Sequence, residues 1–374
     1  MVVLQNAPFL VIRINNLRNK HIKQLDVFRA LAALSVCSVH FTYNSFFHNY
    51  FAQGLFVQLF FTLSGFVIAY NYNKNLSNLN KFFDFIFKRF LRLYPLHLFF
   101  LIIFLILEMI KYLLVTKFDI STNNIPFSYN NVKNFILNLF FVQHFADEYS
   151  FNSPSWSISV EMMLYLTFGL ISLIFRKKSL IIYLYILYIL FFIFFLNSEY
   201  GKSHSISAFY SGLYSFSIGC LFFFMFQKIN NFYNSTIYRD IIFYILVSIF
   251  LFEIFYFQLI KQKYLYSILF GVIFFYSCFL KEKFFLFKIF FNNFFCYLGK
   301  ISYSIYMSHL AVFFIFDNLL KHVFKYETKL DNGISVLNLN NFEANLYTLL
   351  IYVLVIFFSI FSYKFIEMKY YKKK

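Results

Sequence analysis

Apolar residues dominate this chain in long runs, and its polar positions gather between them. Runs of about 17 to 25 residues are long enough to cross a hydrocarbon core as helices. Such runs stand at 26–43, 54–72, 93–114, 156–175, 179–197, 207–226, 241–260, 264–280, 301–320 and 345–363. The pattern predicts an all-α, polytopic transmembrane bundle of about ten spans. The apolar stretch 135–142 is too short to span and is expected as a re-entrant or interfacial piece before the fourth span. The expected organisation is a basic N-terminal segment over 1–24, a membrane domain over 25–363 and a basic tail over 364–374. No internal repeat is visible. The stretches 115–155 and 321–344 are the only sizeable connections outside the spans.

Composition agrees with a membrane protein. Hydrophobic residues make up 61% of the chain, with 63 Phe and 31 Tyr, and only 13% is charged. A soluble fold could not hide that much apolar surface. The net charge of +17 would by itself admit a nucleic-acid partner, but its distribution argues otherwise. With the N-terminus inside and an even number of spans, about 23 of the 33 Lys and Arg residues fall on the cytoplasmic side and about 9 outside. Both termini are therefore expected in the cytoplasm, and the basic charge reads as a topology signal with attraction to anionic lipid. Residues 1–12 are apolar and basic residues follow, the reverse of a cleavable signal peptide. Cys37, Cys220, Cys278 and Cys296 lie scattered in apolar stretches without metal or disulfide spacing. The sequence has no glycine-rich phosphate loop, no zinc-ligand spacing and no Gly-x-Ser-x-Gly elbow.

Ionisable residues within a bilayer are costly and usually functional. Arg29 and His40 lie eleven residues apart in the first run, with small or apolar residues between them. Eleven steps make about three turns plus 20°, so the two share a helix face about 16 Å apart. In the second run, Ser64 and Gly65 are small enough for close helix approach, and Gln58 is expected to face the bundle interior. Lys88-Arg89-Phe90-Leu91-Arg92-Leu93-Tyr94-Pro95 opens the third run. Arg89 and Arg92 share a face, and Pro95 suits the first turn of the helix. Spacing leaves two readings open for this pair, a phosphate-binding fork and an ordinary positive-inside anchor.

The fourth run opens with Pro154-Ser155-Trp156-Ser157-Ile158-Ser159-Val160-Glu161. Trp156, the single tryptophan, suits the outer interface, and Ser157 and Glu161 face together. Glu161 is expected at a depth comparable to His40. A His–carboxylate pair is a general-base arrangement, and a structural hydrogen bond is the alternative. The ninth run carries Ile301-Ser302-Tyr303-Ser304-Ile305-Tyr306-Met307-Ser308-His309, where His309 is either a packing residue or a catalyst. Glu108 and Lys111 look like a local pair, Glu253 has no evident role, and His97 could bond a carbonyl freed by Pro95.

Taken in order, Leu25-Asp26-x-x-Arg29 with His40, Phe60-Phe61-x-Leu63-Ser64-Gly65-Phe66, Arg89-x-x-Arg92-x-x-Pro95, Trp156-Ser157-x-Ser159-x-Glu161 and Ile301-Ser302-Tyr303-Ser304-x-Tyr306 before His309 resemble the acyltransferase-3 family. These are integral membrane O-acyltransferases, and the likeness runs from about residue 22 to 363. Val27 and Ala30 stand where members often have Gly, and Gln58 where an acidic residue is common. Many members move acetyl groups from acetyl-CoA to sugars of surface polysaccharides.

The resemblance implies an inner-membrane O-acyltransferase; some members carry an appended extracellular hydrolase-like domain, which this chain is expected to lack. Its acyl-CoA donor, acetyl-CoA above all, is a substrate, no cofactor or metal is permanently bound, and the acceptor is a glycan. The first-helix arginine and histidine of the family fall on Arg29 and His40, and the donor-linked arginines fall on Arg89 and Arg92. Those three arginines would hold the donor phosphates from the cytoplasm. His40 would deprotonate the acceptor hydroxyl or accept the acyl group transiently, with Glu161 orienting its ring. Ser64, Trp156, Ser157, Tyr303 and His309 would support substrate or structure. Two rivals are a transporter or flippase for a lipid-linked glycan and a non-enzymatic assembly partner. The transporter predicts inverted repeats or broken helices, which the sequence lacks.

Reporter fusions after residues 24 and 374 are expected to give cytoplasmic signals, and a periplasmic signal from either would overturn the topology.

Overall fold

The computed structural model describes residues 22–41, 43–51, 54–72, 76, 78–120, 122–146, 148–175, 178–196, 204–229, 237–252, 265–280, 288, 291–331 and 334–371. The N-terminal basic segment up to residue 21, Lys74, Arg176, Lys177, Glu253, Lys281, Lys283 and residues 372–374 lie outside them. In chain order the helices are α1 (Lys23–His40), α2 (Phe46–Phe51), α3 (Leu55–Tyr72), α4 (Leu79–Phe118), α5 (Val132–Leu139), α6 (Trp156–Ile174) and α7 (Lys178–Leu196). There follow α8 (His204–Ile229), α9 (Ile237–Phe252), α10 (Tyr266–Ser277), α11 (Asn293–Lys300), α12 (Ser302–Asn318), α13 (Asn341–Ser362) and α14 (Met368–Tyr371). Among the described residues a helix lies within each apolar run, and six helices there are long and apolar enough to cross a membrane, so the expected count of about ten spans is not established.

Burial separates central from peripheral helices. In the most apolar windows of α4 and α13 only 22% of residues are buried, against 61% in α3 and 67% within 207–228 of α8. The outward side chains of α4 and α13, such as Ile106, Met109, Val353 and Phe357, form the apolar surface that a bilayer would cover. The first helix is the opposite case. It is not among the six most apolar spans, yet 12 of its 18 residues are buried. Its polar groups are surrounded by protein, where a membrane protein tolerates them.

Two glycines set the central crossing. A Cβ on Gly65 would meet the Phe216 carbonyl oxygen at 2.0 Å, and one on Gly219 would meet that of Thr62 at 1.9 Å. The backbones of α3 and α8 therefore touch, as small residues allow where lipid supplies no hydrophobic drive between helices. Gln58 does face the interior, where it accepts from Ser215 at 2.5 Å and Ser215 in turn bonds Ser267 of α10 at 2.7 Å. Gly299 repeats the device, since its Cβ would meet the Asp26 carbonyl oxygen at 2.0 Å.

The third span departs from its expected start. Asn78 accepts the Lys81 amide at 3.0 Å and caps a helix of 40 residues that begins well before residue 93. At 1.5 Å per residue it is about 60 Å long, about twice the hydrocarbon thickness. Pro95 lies inside this helix instead of in its first turn. The early residues continue the helix through the Asp84–Lys88 pair at 2.7 Å. The short apolar stretch forms α5, eight residues capped by Asn131. The later connection holds a two-stranded antiparallel hairpin, Thr328–Asp331 with Ile334–Leu337. Lys321 tethers it by pairing with Asp317 at 2.6 Å and donating to the Ser335 carbonyl at 2.5 Å.

Gly65→Ala and Gly219→Ala are each expected to destabilise the fold by about 2 kcal/mol, because the added methyl meets backbone that cannot step aside. Ser64→Ala, one residue away, should leave folding intact. Thermal unfolding of detergent-solubilised protein checks both, and a wild-type midpoint for Gly65→Ala would refute the crossing.

Candidate active site

One face of α6 carries Ser157, Glu161 and Tyr165 at four-residue spacing. That face borders a cleft whose other walls hold Ser64 from α3, Arg89 and Arg92 from α4, Arg29 from α1, and Ser302, Tyr303 and Tyr306 from α12. Its empty volume, open solvent included, is about 740 Å³. Three guanidinium groups and the single carboxylate of Glu161 are the charged groups lining it among the described residues.

The charges are arranged in order along the cleft. At one end Arg89 donates to the Tyr72 hydroxyl at 2.8 Å and lies over that ring at 5.1 Å. Tyr72 packs on Phe85, and Phe85 on Tyr165, which places Arg89 at the Tyr165 level. One turn further along, Glu161 accepts hydrogen bonds from Tyr165 and, at 3.2 Å, from Ser64. Arg29 pairs with the buried Asp26 at 3.3 Å, on the same turn of α1. Tyr303 donates to the Leu93 carbonyl at 2.7 Å, so α12 is fastened beside the arginine pair. Guanidinium groups outnumber carboxylates along this cleft, and planar guanidinium forks match phosphate oxygens.

The other end is closed by Tyr306. Its hydroxyl donates to the Pro154 carbonyl at 3.0 Å and bonds Ser157 Oγ at 2.7 Å, while Phe60 meets its ring edge-on. Beyond Tyr306, at 6.0 Å between ring centroids, stands His309. The His40 ring lies 5.2 Å from that of His309.

The structure thus brings Arg29, Ser64, Arg89, Arg92, Ser157, Glu161 and Tyr303 to one cleft, with His40 and His309 behind its tyrosine wall. Trp156 does not line the cleft, and its ring lies against His144 at 5.3 Å. The expected pairing of Glu161 with His40 is not what forms. Glu161 is bound by Ser64 and Tyr165, one turn away from the Ser157 level that Tyr306 occupies. Nor does His97 bond a carbonyl freed by Pro95, since its Nε2 donates to the Asn138 carbonyl at 2.8 Å. The Glu108–Lys111 pair forms at 3.1 Å, and Glu108 also accepts the Phe127 amide at 2.7 Å. Sequence reasoning quoted Tyr306 in a motif without giving it a role and passed over Tyr72 and Tyr165. Tyr165 stands four residues after Glu161, and that spacing was its available signal.

Comparisons with known proteins agree with this arrangement. The acyltransferase-3 family model, described as an acyltransferase domain, matches residues 22–364. Acyltransferase MdmB of Streptomyces mycarofaciens is 31% identical over 163 residues, which is 40% of this chain and 38% of that protein. The match therefore spans well under half of the curated relative. No solved structure matches the chain. The match of the family model across almost the whole described bundle shows that the chain belongs to the acyltransferase-3 family.

Proposed function

We propose that this acyltransferase is an inner-membrane O-acyltransferase that moves an acetyl group from acetyl-CoA to a hydroxyl of a cell-surface or lipid-linked glycan. The observation that carries the reading is the cleft itself, with Arg29, Arg89 and Arg92 along one end and the His40–His309 pair beyond Tyr306 at the other. The donor is long and polyanionic at one end and carries its reactive thioester at the other. Its phosphates fit the arginine end through charge-assisted bonds. That end lies where α3 finishes and α4 starts, the side that the Lys and Arg bias assigns to the cytoplasm.

Glu161 supports this direction by repulsion. A carboxylate one turn beyond the arginines disfavours further entry of phosphate and lets the neutral arm pass, which sets the register of the donor. His40 then takes the proton of the acceptor hydroxyl, the oxygen attacks the thioester carbonyl, and the CoA thiolate leaves with that proton. The distance along α1 from Arg29 to His40, about 16 Å, separates phosphate binding from chemistry.

Replacing Arg89 and Arg92 together with Ala should raise the KM for acetyl-CoA by at least about tenfold, since each lost charged hydrogen bond is worth about 1.5–3 kcal/mol. Membrane abundance should hold. An unchanged KM in isolated membranes would assign the pair to anchoring alone.

His40→Ala should lower glycan acetylation by about 100-fold or more at matched membrane abundance. Glu161→Gln should cost less, because an amide still accepts from Ser64 and Tyr165. Wild-type acetylation by His40→Ala would remove that residue as base or nucleophile.

A further inference from the structure

His309 is fully buried on α12, and the transfer chemistry above leaves it without a task. Its Nδ1 lies 3.3 Å from the Ile305 carbonyl oxygen. A carbonyl oxygen only accepts, so Nδ1 carries the proton and Nε2 presents a bare lone pair. That Nε2 is buried and has no hydrogen-bond partner. A buried acceptor left unsatisfied costs about 1–3 kcal/mol, so its persistence asks for a reason. The nearest aromatic neighbours of this ring are His40 at 5.2 Å and Tyr306 at 6.0 Å, and the Tyr306 hydroxyl is already engaged by Pro154 and Ser157. His40 stands half-buried in the last turn of α1, where the negative end of the helix dipole meets any positive charge formed on its ring.

We propose that His309 is the positioning partner of His40, its unpartnered Nε2 accepting the N–H of the His40 ring when that ring turns toward it during transfer and stabilising the imidazolium that forms. It does what a buried carboxylate does for a catalytic histidine elsewhere, through a neutral acceptor fixed by the Ile305 carbonyl. One ring nitrogen of His40 takes the acceptor proton while the alkoxide oxygen bonds to the thioester carbon. The proton on the other nitrogen stays shared with His309. When the C–S bond breaks, the transferred proton passes from His40 to the CoA thiolate, and both rings return to neutral. His309 touches neither substrate.

The role of His40 in transfer rests on the proposed function, and the test separates the two. Carbethoxylation of His40 by diethyl pyrocarbonate, followed by peptide mass spectrometry on purified full-length protein, reads the nucleophilicity of the ring without any substrate. His309→Leu and His309→Met, apolar and of similar size, should slow labelling of His40 and lower glycan acetylation by about 10- to 100-fold. His309→Gln keeps an acceptor oxygen and should recover most of both. Size-exclusion profiles and membrane abundance identify any variant that fails to fold, and two apolar variants guard against the loss of one. Labelling of His40 that is unchanged or faster in folded His309→Leu or His309→Met would overturn the proposal, as would equal loss in the Gln and Leu variants. Slower labelling together with absent acetylation by the wild-type protein would keep the histidine pair and reject the transfer reading.

Discussion

The close crossing of α3 and α8 is the contact on which the rest of the site depends. With Gly65 and Gly219 each facing a carbonyl at about 2 Å from a hypothetical Cβ, the rotation of α3 about its axis has no freedom. Successive residues on a helix are about 100° apart. Fixing Gly65 against α8 therefore turns Ser64 away from that interface and toward α6, where it meets Glu161 and Tyr165. A slip of one residue would bury Ser64 in the crossing and leave Glu161 facing apolar side chains. The packing residue and the site residue are sequence neighbours with opposite duties.

The second constraint is electrostatic. A charge in an apolar interior must be met by protein, since no water or lipid group will do it at low cost. Asp26 meets Arg29 within one turn, and Tyr72 holds Arg89 through its hydroxyl and its ring face. Glu161 is met by two hydroxyls. These arrangements leave guanidinium groups lining the cleft. The tyrosines matter here because they combine a large apolar body with one polar tip, which suits the wall of a cleft inside a bundle.

Tyr306 divides the site. Its hydroxyl is tied to Pro154 and Ser157, so the ring has a fixed place between the lining of the charged cleft and His309. Above it, Lys321 and Tyr43 converge on Asp317 and pin the hairpin to the end of α12. That end of the bundle is thus braced by polar contacts, while its flanks are left apolar.

Run lengths were enough to read the helical class, the approximate place of most apolar helices and the paired faces of Arg89–Arg92 and Ser157–Glu161, though not the early start of α4. Those features are local, set by a 3.6-residue period and by the cost of charge in lipid. The motif order identified the family for the same reason, because it needs no knowledge of which helices touch. Helix neighbours and rotations were not legible. Glu161 and His40 lie at similar depths by counting residues, yet Glu161 bonds Ser64 and Tyr165 while His40 meets His309. Depth along a helix follows from sequence position, but the partner across a bundle depends on which face each helix turns inward. That choice is made by backbone-to-backbone contacts such as Gly65 on Phe216, which join residues far apart in the chain, so only the tertiary structure decided it.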